Sequence, residues 1–161
     1  MQTVPVAEQQ LAIEIKIDRF RVVQFHQQEI PEDIRHDEVI NFTHKFNVRV
    51  EDGIQSILTH LEIEIVRSSV GHQLATLTTE ATFKLGAGYA KMKELGGIPR
   101  DLMLLAINLT YSTTRGIMIE KFAGTPLRNT YLPIINPSEL LRQIEENARK
   151  VNVEKRSDSK E

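Results

Sequence analysis

The sequence predicts an α+β fold: a four-stranded antiparallel β-meander followed by a long helix, an extended segment and a C-terminal helix. Three observations carry this expectation. Four stretches within the first 85 residues alternate apolar and polar side chains with a period of two. Turn sequences, "EDG" and "SSVGH", separate the last three of them. Beyond residue 98 the alternation is lost, and an uncharged run over 102–114 lies inside a longer helical segment.

The first strand occupies residues 11–25, with Leu11, Ile13, Ile15 and Ile17 on one face and Glu14, Lys16 and Asp18 on the other. Its phase then slips to Phe20 and Val22, which requires a bulge or bend. Residues 26–40 are polar, contain a proline and read as a long connection. In the second strand Phe46, Val48 and Val50 alternate with Lys45, Asn47 and Arg49. In the third, Ile57, Leu61, Ile63 and Ile65 oppose His60, Glu62 and Glu64. In the fourth, over 73–85, Leu77, Ala81 and Phe83 oppose Thr76, Thr78, Glu80 and Lys84. Such strands bury one face and wet the other.

Four glycines in "LGAGYAKMKELGGI" read as a flexible connection. The long helix is expected to start near Pro99, to carry Asp101 in its first turn and to stop at Gly124 as a C′ residue. Leu102, Met103, Leu104, Leu105, Ile107 and Leu109 point in nearly every direction around it. A helix on one sheet needs a single apolar stripe, so a second cover is expected from another subunit. Leu105, Leu109 and Ile117 are assigned to that interface, and Met103 and Ile107 to a groove. Gly116, costing about 1 kcal/mol against Ala within a helix, fits close approach of a partner helix. The last helix opens at "NPSE", with Asn136 as cap, Pro137 at N1 and Glu139 closing a capping box. Its expected face is Ile144, Ala148 and Val151, with Glu145–Arg149 and Glu146–Lys150 as solvent-side pairs. Residues 1–161 read as one domain, with 1–8 and 154–161 disordered.

Composition narrows the function. The chain has 161 residues, a net charge of −2 and no tryptophan, and its basic residues are scattered. Neither a nucleic acid nor an anionic membrane is an expected partner. Cysteine is absent, which excludes disulfides, thiolate metal sites and a cysteine nucleophile. No basic segment followed by an apolar one opens the chain, and "LMLLAINL" is too short to span a bilayer, so the cytoplasm is the expected compartment.

No constellation asks for catalysis or a cofactor. His26, His36 and His44 lie on or beside a connection and lack metal-ligand spacing, so they read as surface histidines. Glu51 and Asp52, Glu62 and Glu64, and Glu145 and Glu146 sit on wet elements that would not raise a carboxyl pKa. Neither a G-x-S-x-G elbow nor a phosphate loop occurs. No catalytic residue, metal or cofactor is expected. What stands out is apolar surface: the long helix, and "TPLRNTYLPIINP" after it, in which Tyr131 and Leu132 are candidate groove walls.

The last third resembles the SecB family of export chaperones and their SecB-like relatives. The carrying residues are Gly124, Thr125 and Pro126 after the helix, then "LRNTY", Leu132 and Pro133, then "IINPSEL". Tyr111 and Arg115 stand where the family helix has "YAR". The resemblance implies an ATP-independent holdase, a homotetramer built as a dimer of dimers with the long helices between sheets. It implies grooves for unfolded clients, either preproteins or the antitoxin of a toxin–antitoxin system. By position the client-facing residues of the second strand are Phe46, Val48 and Val50. Export members are strongly acidic and dock SecA on the outer sheet face. Here Thr76 and Thr78 beside Glu80 are poor in acid, which puts SecA docking in doubt.

Overall fold

The computed structural model describes residues 14–157, apart from 31–33, 35–38, 52, 54, 88 and 95. Its strands are β1 (Ile15–Gln27), β2 (Ile40–Glu51), β3 (Ser56–Arg67) and β4 (His72–Leu85). The helices are α1 (Tyr89–Glu94), α2 (Arg100–Phe122) and α3 (Pro137–Ser157). All strand pairs are antiparallel, as the alternation requires, but the spatial order is β1-β4-β3-β2. This is a Greek key, not the expected meander. Only residues 52–55 and 68–71 separate β2 from β3 and β3 from β4, whereas residues 28–39 separate β1 from β2, which lie at opposite edges of the sheet. β1 therefore pairs with β4 rather than with its neighbour in sequence.

The phase slip in β1 is real and occurs twice. The register shifts between Ile17 and Arg19, and again between Val22 and Gln24. Each shift inserts one extra residue, so Ile17, Phe20, Val22 and Phe25 fall opposite Phe83, Ala81, Thr79 and Leu77. Without both bulges a strict period of two would turn Phe20 or Phe25 to the wet face.

On the inner face the core falls into two apolar clusters. One contains Leu61, Ile63, Ile65, Leu77, Tyr111, Met118 and Phe122; the other contains Ile57, Phe83, Leu85, Tyr89, Met92 and Ala106. Tyr89 and Met92 make the Gly-rich link more than a flexible connection. They are buried one helical turn apart on α1, whose end is followed by Gly96 and Gly97 at φ of 104° and 127°.

Beside these clusters, α2 is seated on β3 and β4 by hydroxyl groups. Thr59 lies 2.7 Å from Thr110, and Thr79 lies 2.7 Å from Thr114, Oγ1 to Oγ1, all four side chains being buried. Thr110 donates to the Ala106 carbonyl and Thr114 to the Thr110 carbonyl, both at 2.8 Å. A hydroxyl has one proton, so Thr79 is the donor to Thr114, while the Thr59 proton is shared between Thr110 and the Ala81 carbonyl at 3.4 Å. The wheel that this seating imposes buries Ala106, Ile107, Thr110, Tyr111, Thr114, Met118 and Phe122 along one face.

Three helix-end expectations are corrected. Gly124 does not take the left-handed conformation; the Thr125 hydroxyl instead donates to the Phe122 carbonyl at 3.0 Å and accepts from the Leu127 amide at 3.1 Å. Asn136 caps α3 through the Ser138 amide at 3.0 Å, but Glu139 turns forward to Arg142 instead of closing a capping box. Glu145 pairs with Arg100 of α2 at 3.0 Å in place of the expected Arg149, and Glu146 pairs with Arg142; the side chains of Lys150, Ala148 and Val151 lie outside the described ones. The helix runs to Ser157, past the expected start of the tail at 154, while residues 1–8 and 158–161 lie outside the described ones.

Thr59→Val or Thr110→Val alone is expected to cost about 0.5–1.5 kcal/mol, because each strands or weakens a buried partner. Both changes together should cost no more than one, since the pair becomes apolar and isosteric. Urea midpoints for the four chains check this, and strictly additive losses would contradict a direct bond.

Candidate peptide-binding surface

A side chain exposed on a sheet or helix matters for binding only if its neighbours leave it reachable. The expected groove residues divide on this criterion. Phe46, Ile107 and Leu132 are core side chains, between 0 and 7% exposed. They are closed because Leu140 and Leu141 of α3 complete the same apolar cluster. Val48 and Met103 are half-buried against both clusters. Val50, at the β2 edge, and Tyr131 are exposed at 41% and 49%. For the expected interface residues, Leu105 is exposed, whereas Leu109 and Ile117 are half-buried.

The segment between α2 and α3 is tethered at its inward side. Leu127 and Leu132 are buried, and the Tyr111 hydroxyl donates to the Pro133 carbonyl at 3.1 Å. Burial raises the Tyr111 pKa, which keeps the phenol protonated for that bond. The ring of His44 meets the Tyr111 ring edge-on, with centroids 6.4 Å apart. His44 is therefore an inner-face residue of β2, not a loop histidine. His26 is exposed on β1, and His36 lies outside the described residues. With Leu132 pinned inward, Tyr131 and Ile134 turn outward, and Ile134 is 85% exposed. Its role was not legible in the sequence because "PII" offers two equivalent apolar side chains; only the Leu132 and Pro133 anchors decide which faces out.

Opposite its buried face, α2 presents Leu105, Leu109, Ser112, Gly116 and Ile119, spaced alternately four and three apart. Charge on this helix is confined to Arg100, Asp101, Arg115, Glu120 and Lys121. By length and composition the helix could cross a bilayer, contrary to the expectation from "LMLLAINL" alone, yet a third of it is buried here and the threonine pairs seat it on the sheet. A Cβ added at Gly116 would meet nothing within 4 Å. Arg115, one turn after Tyr111 and close enough for its charge to act on the phenol, has a buried Nε with no hydrogen-bond partner among the described residues.

The outer sheet face is ionic. Arg21 donates to Glu80 through Nε at 2.9 Å and Nη2 at 2.5 Å, and His60 lies 3.3 Å from the same carboxylate. Asp18, the residue inserted by the first bulge, pairs with Lys84 at 2.7 Å, and Lys45 with Glu62 at 3.1 Å. The Arg21 hydrogen bond, helped by His60, holds the Glu80 carboxyl below its ordinary value of 4.5. Among the described residues no group of three His, Asp or Glu is placed to hold a metal ion.

No protein-family model matches the sequence, and no curated protein matches it either. Among solved structures the chain is similar to a SecB-like chaperone of Mycobacterium tuberculosis in complex with a ChAD peptide from the HigA1 antitoxin. That match has a TM-score of 0.43 and 14% identity, and it covers 76% of this chain and 91% of the other.

Glu80 supplies a pH test. With its folded pKa lowered, its contribution is complete above the unfolded value and is lost as pH falls through the lowered one. Glu80→Gln should therefore flatten the fall in urea midpoint as pH drops below about 4.5, the ordinary carboxyl value. A fall parallel to that of the parent would show that Glu80 contributes nothing to acid sensitivity.

Proposed function

We propose that the chain is an ATP-independent holdase that binds unfolded, extended apolar polypeptide segments and keeps them from aggregating, without a cofactor. The observation carrying this reading is the outward pair Tyr131 and Ile134 on a segment whose alternate side chain, Leu132, is anchored in the core. Large apolar side chains held rigidly at the surface offer subsites to a chain that has lost its own core. Each client side chain buried there contributes ~1–3 kcal/mol, so useful affinity comes from several subsites occupied by one client. The SecB-like order of Gly124, Pro126, Leu132 and Pro133 after the long helix supports the same reading.

In this proposal the protein works in the cytoplasm as a homotetramer, a dimer of dimers. The uncharged outer stripe of α2 supports self-association, because an apolar heptad face in water is stabilised by a second such face. Clients are preproteins bound for export or an antitoxin, and SecA is not required. One rival reading, a structural or ligand-binding oligomer whose apolar helix is only a subunit interface, is favoured by the α2 stripe taken alone.

At a stoichiometric ratio the purified protein is expected to slow light scattering by a chemically unfolded client, and unchanged scattering would refute the holdase. Tyr131→Asp with Ile134→Asp should abolish most of that protection while leaving the sedimentation coefficient unchanged. If the oligomer dissociates instead, the segment is an interface and the rival stands.

A separate prediction concerns the helix. Gly116→Ala favours α2 by about 1 kcal/mol intrinsically, yet it places a methyl group where a partner helix would approach. The variant should weaken self-association in sedimentation velocity while leaving the helical content intact. Unaltered association would remove Gly116 from the interface.

A further inference from the structure

The outer sheet face, opposite the helices, carries an open cleft of about 710 Å³. Its floor includes Leu58 and Thr82, neighbours on the two central strands. Arginines rise on both outer strands: Arg19 opposite Thr82 from β1, and Arg49 opposite Leu58 from β2. The first bulge matters here, because it brings the consecutive residues Asp18 and Arg19 to the same cleft.

The acidic residues lining the cleft are already occupied. Asp18 is bound by Lys84, and Glu80 by Arg21 and His60. Arg49 keeps one contact, to Glu51 at 3.1 Å, and both Arg19 and Arg49 are exposed. Arg19 makes no hydrogen bond or ion pair with any described residue. Guanidinium groups with unused N–H donors, around an apolar floor, are complementary to carboxylates attached to a chain with some apolar surface.

Spacing identifies the kind of chain. β1 and β2 are separated by three interstrand distances, about 14 Å. In an extended polypeptide, side chains four residues apart lie on one face and about 13 Å from each other. A small dicarboxylate would reach both arginines only if both side chains folded inward over Leu58 and Thr82. We infer that the cleft docks an extended acidic polypeptide segment of a partner protein, crossing the strands with two carboxylates four residues apart on Arg19 and Arg49. This site is on the opposite face from Tyr131 and Ile134 and does not depend on the holdase reading.

The probe is a labelled, acetylated and amidated peptide, Glu-Ser-Leu-Ser-Glu, measured by fluorescence anisotropy at low and moderate salt. Binding should weaken with salt and fall at least about tenfold when both glutamates become glutamine, or when the protein carries Arg19→Ala with Arg49→Ala. Protection of an unfolded client should be unchanged in that double variant, whose positions are exposed. The inference is overturned if the glutamine peptide or the double variant binds equally well, or if citrate or inorganic phosphate displaces the peptide at equal concentration. Loss of client protection in a normally folded double variant would overturn the separation of the two faces.

Discussion

Apolar contact by itself does not fix a helix in register on a sheet, because burial is non-directional and a helix can slide or roll at small cost in area. The hydroxyl pairs Thr59–Thr110 and Thr79–Thr114 remove that freedom. Moving α2 by one residue would strand buried hydroxyls at about 1–3 kcal/mol each. With the helix held, its remaining surface is determined. Tyr111 meets the Pro133 carbonyl, and Leu105, Gly116 and Ile119 face away from the sheet. The Leu132 and Pro133 anchors that turn Tyr131 outward thus rest against a helix held in register by four threonines.

The two faces of the sheet then do different physical work. The inner face carries most of the folding energy through apolar burial. On the outer face the ion pairs are exposed, and such pairs contribute ~0–1 kcal/mol each. Their importance lies in arrangement: Lys84, Arg21 and His60 occupy the acids, which leaves arginine donors as the unsatisfied chemistry of that surface. A chain with net charge −2 can therefore present a locally basic cleft.

Much of the fold was legible because strand phase is a local property. Alternation placed Ile57, Leu61 and Phe83 inward, and the slip after Ile17 announced the first bulge. Strand order was not legible, since nothing in a polar connection says to which edge it leads. Thr59 and Thr79 were also opaque: a threonine at an inward position looks like an interruption until its partner on α2 is known. The candidate site was readable only in part. Phe46, Ile107 and Leu132 have the apolar character of groove residues, but their closure depends on Leu140 and Leu141, distant in sequence. Tyr131 and Ile134 differ from them by anchoring, not by composition.

The paired bulges of β1 bear on a hazard that any exposed edge strand must meet. A long, flat edge strand offers its free amides and carbonyls as a template onto which another strand can polymerise. β1 is 13 residues long and sits at the edge with Ile17, Val22 and Val23 exposed, so its composition invites such growth. Two inserted residues coil the ribbon and interrupt its repeat at Asp18 and Val23. The strand is thereby made a poor seed for cross-β stacking, while its apolar side chains remain at the surface.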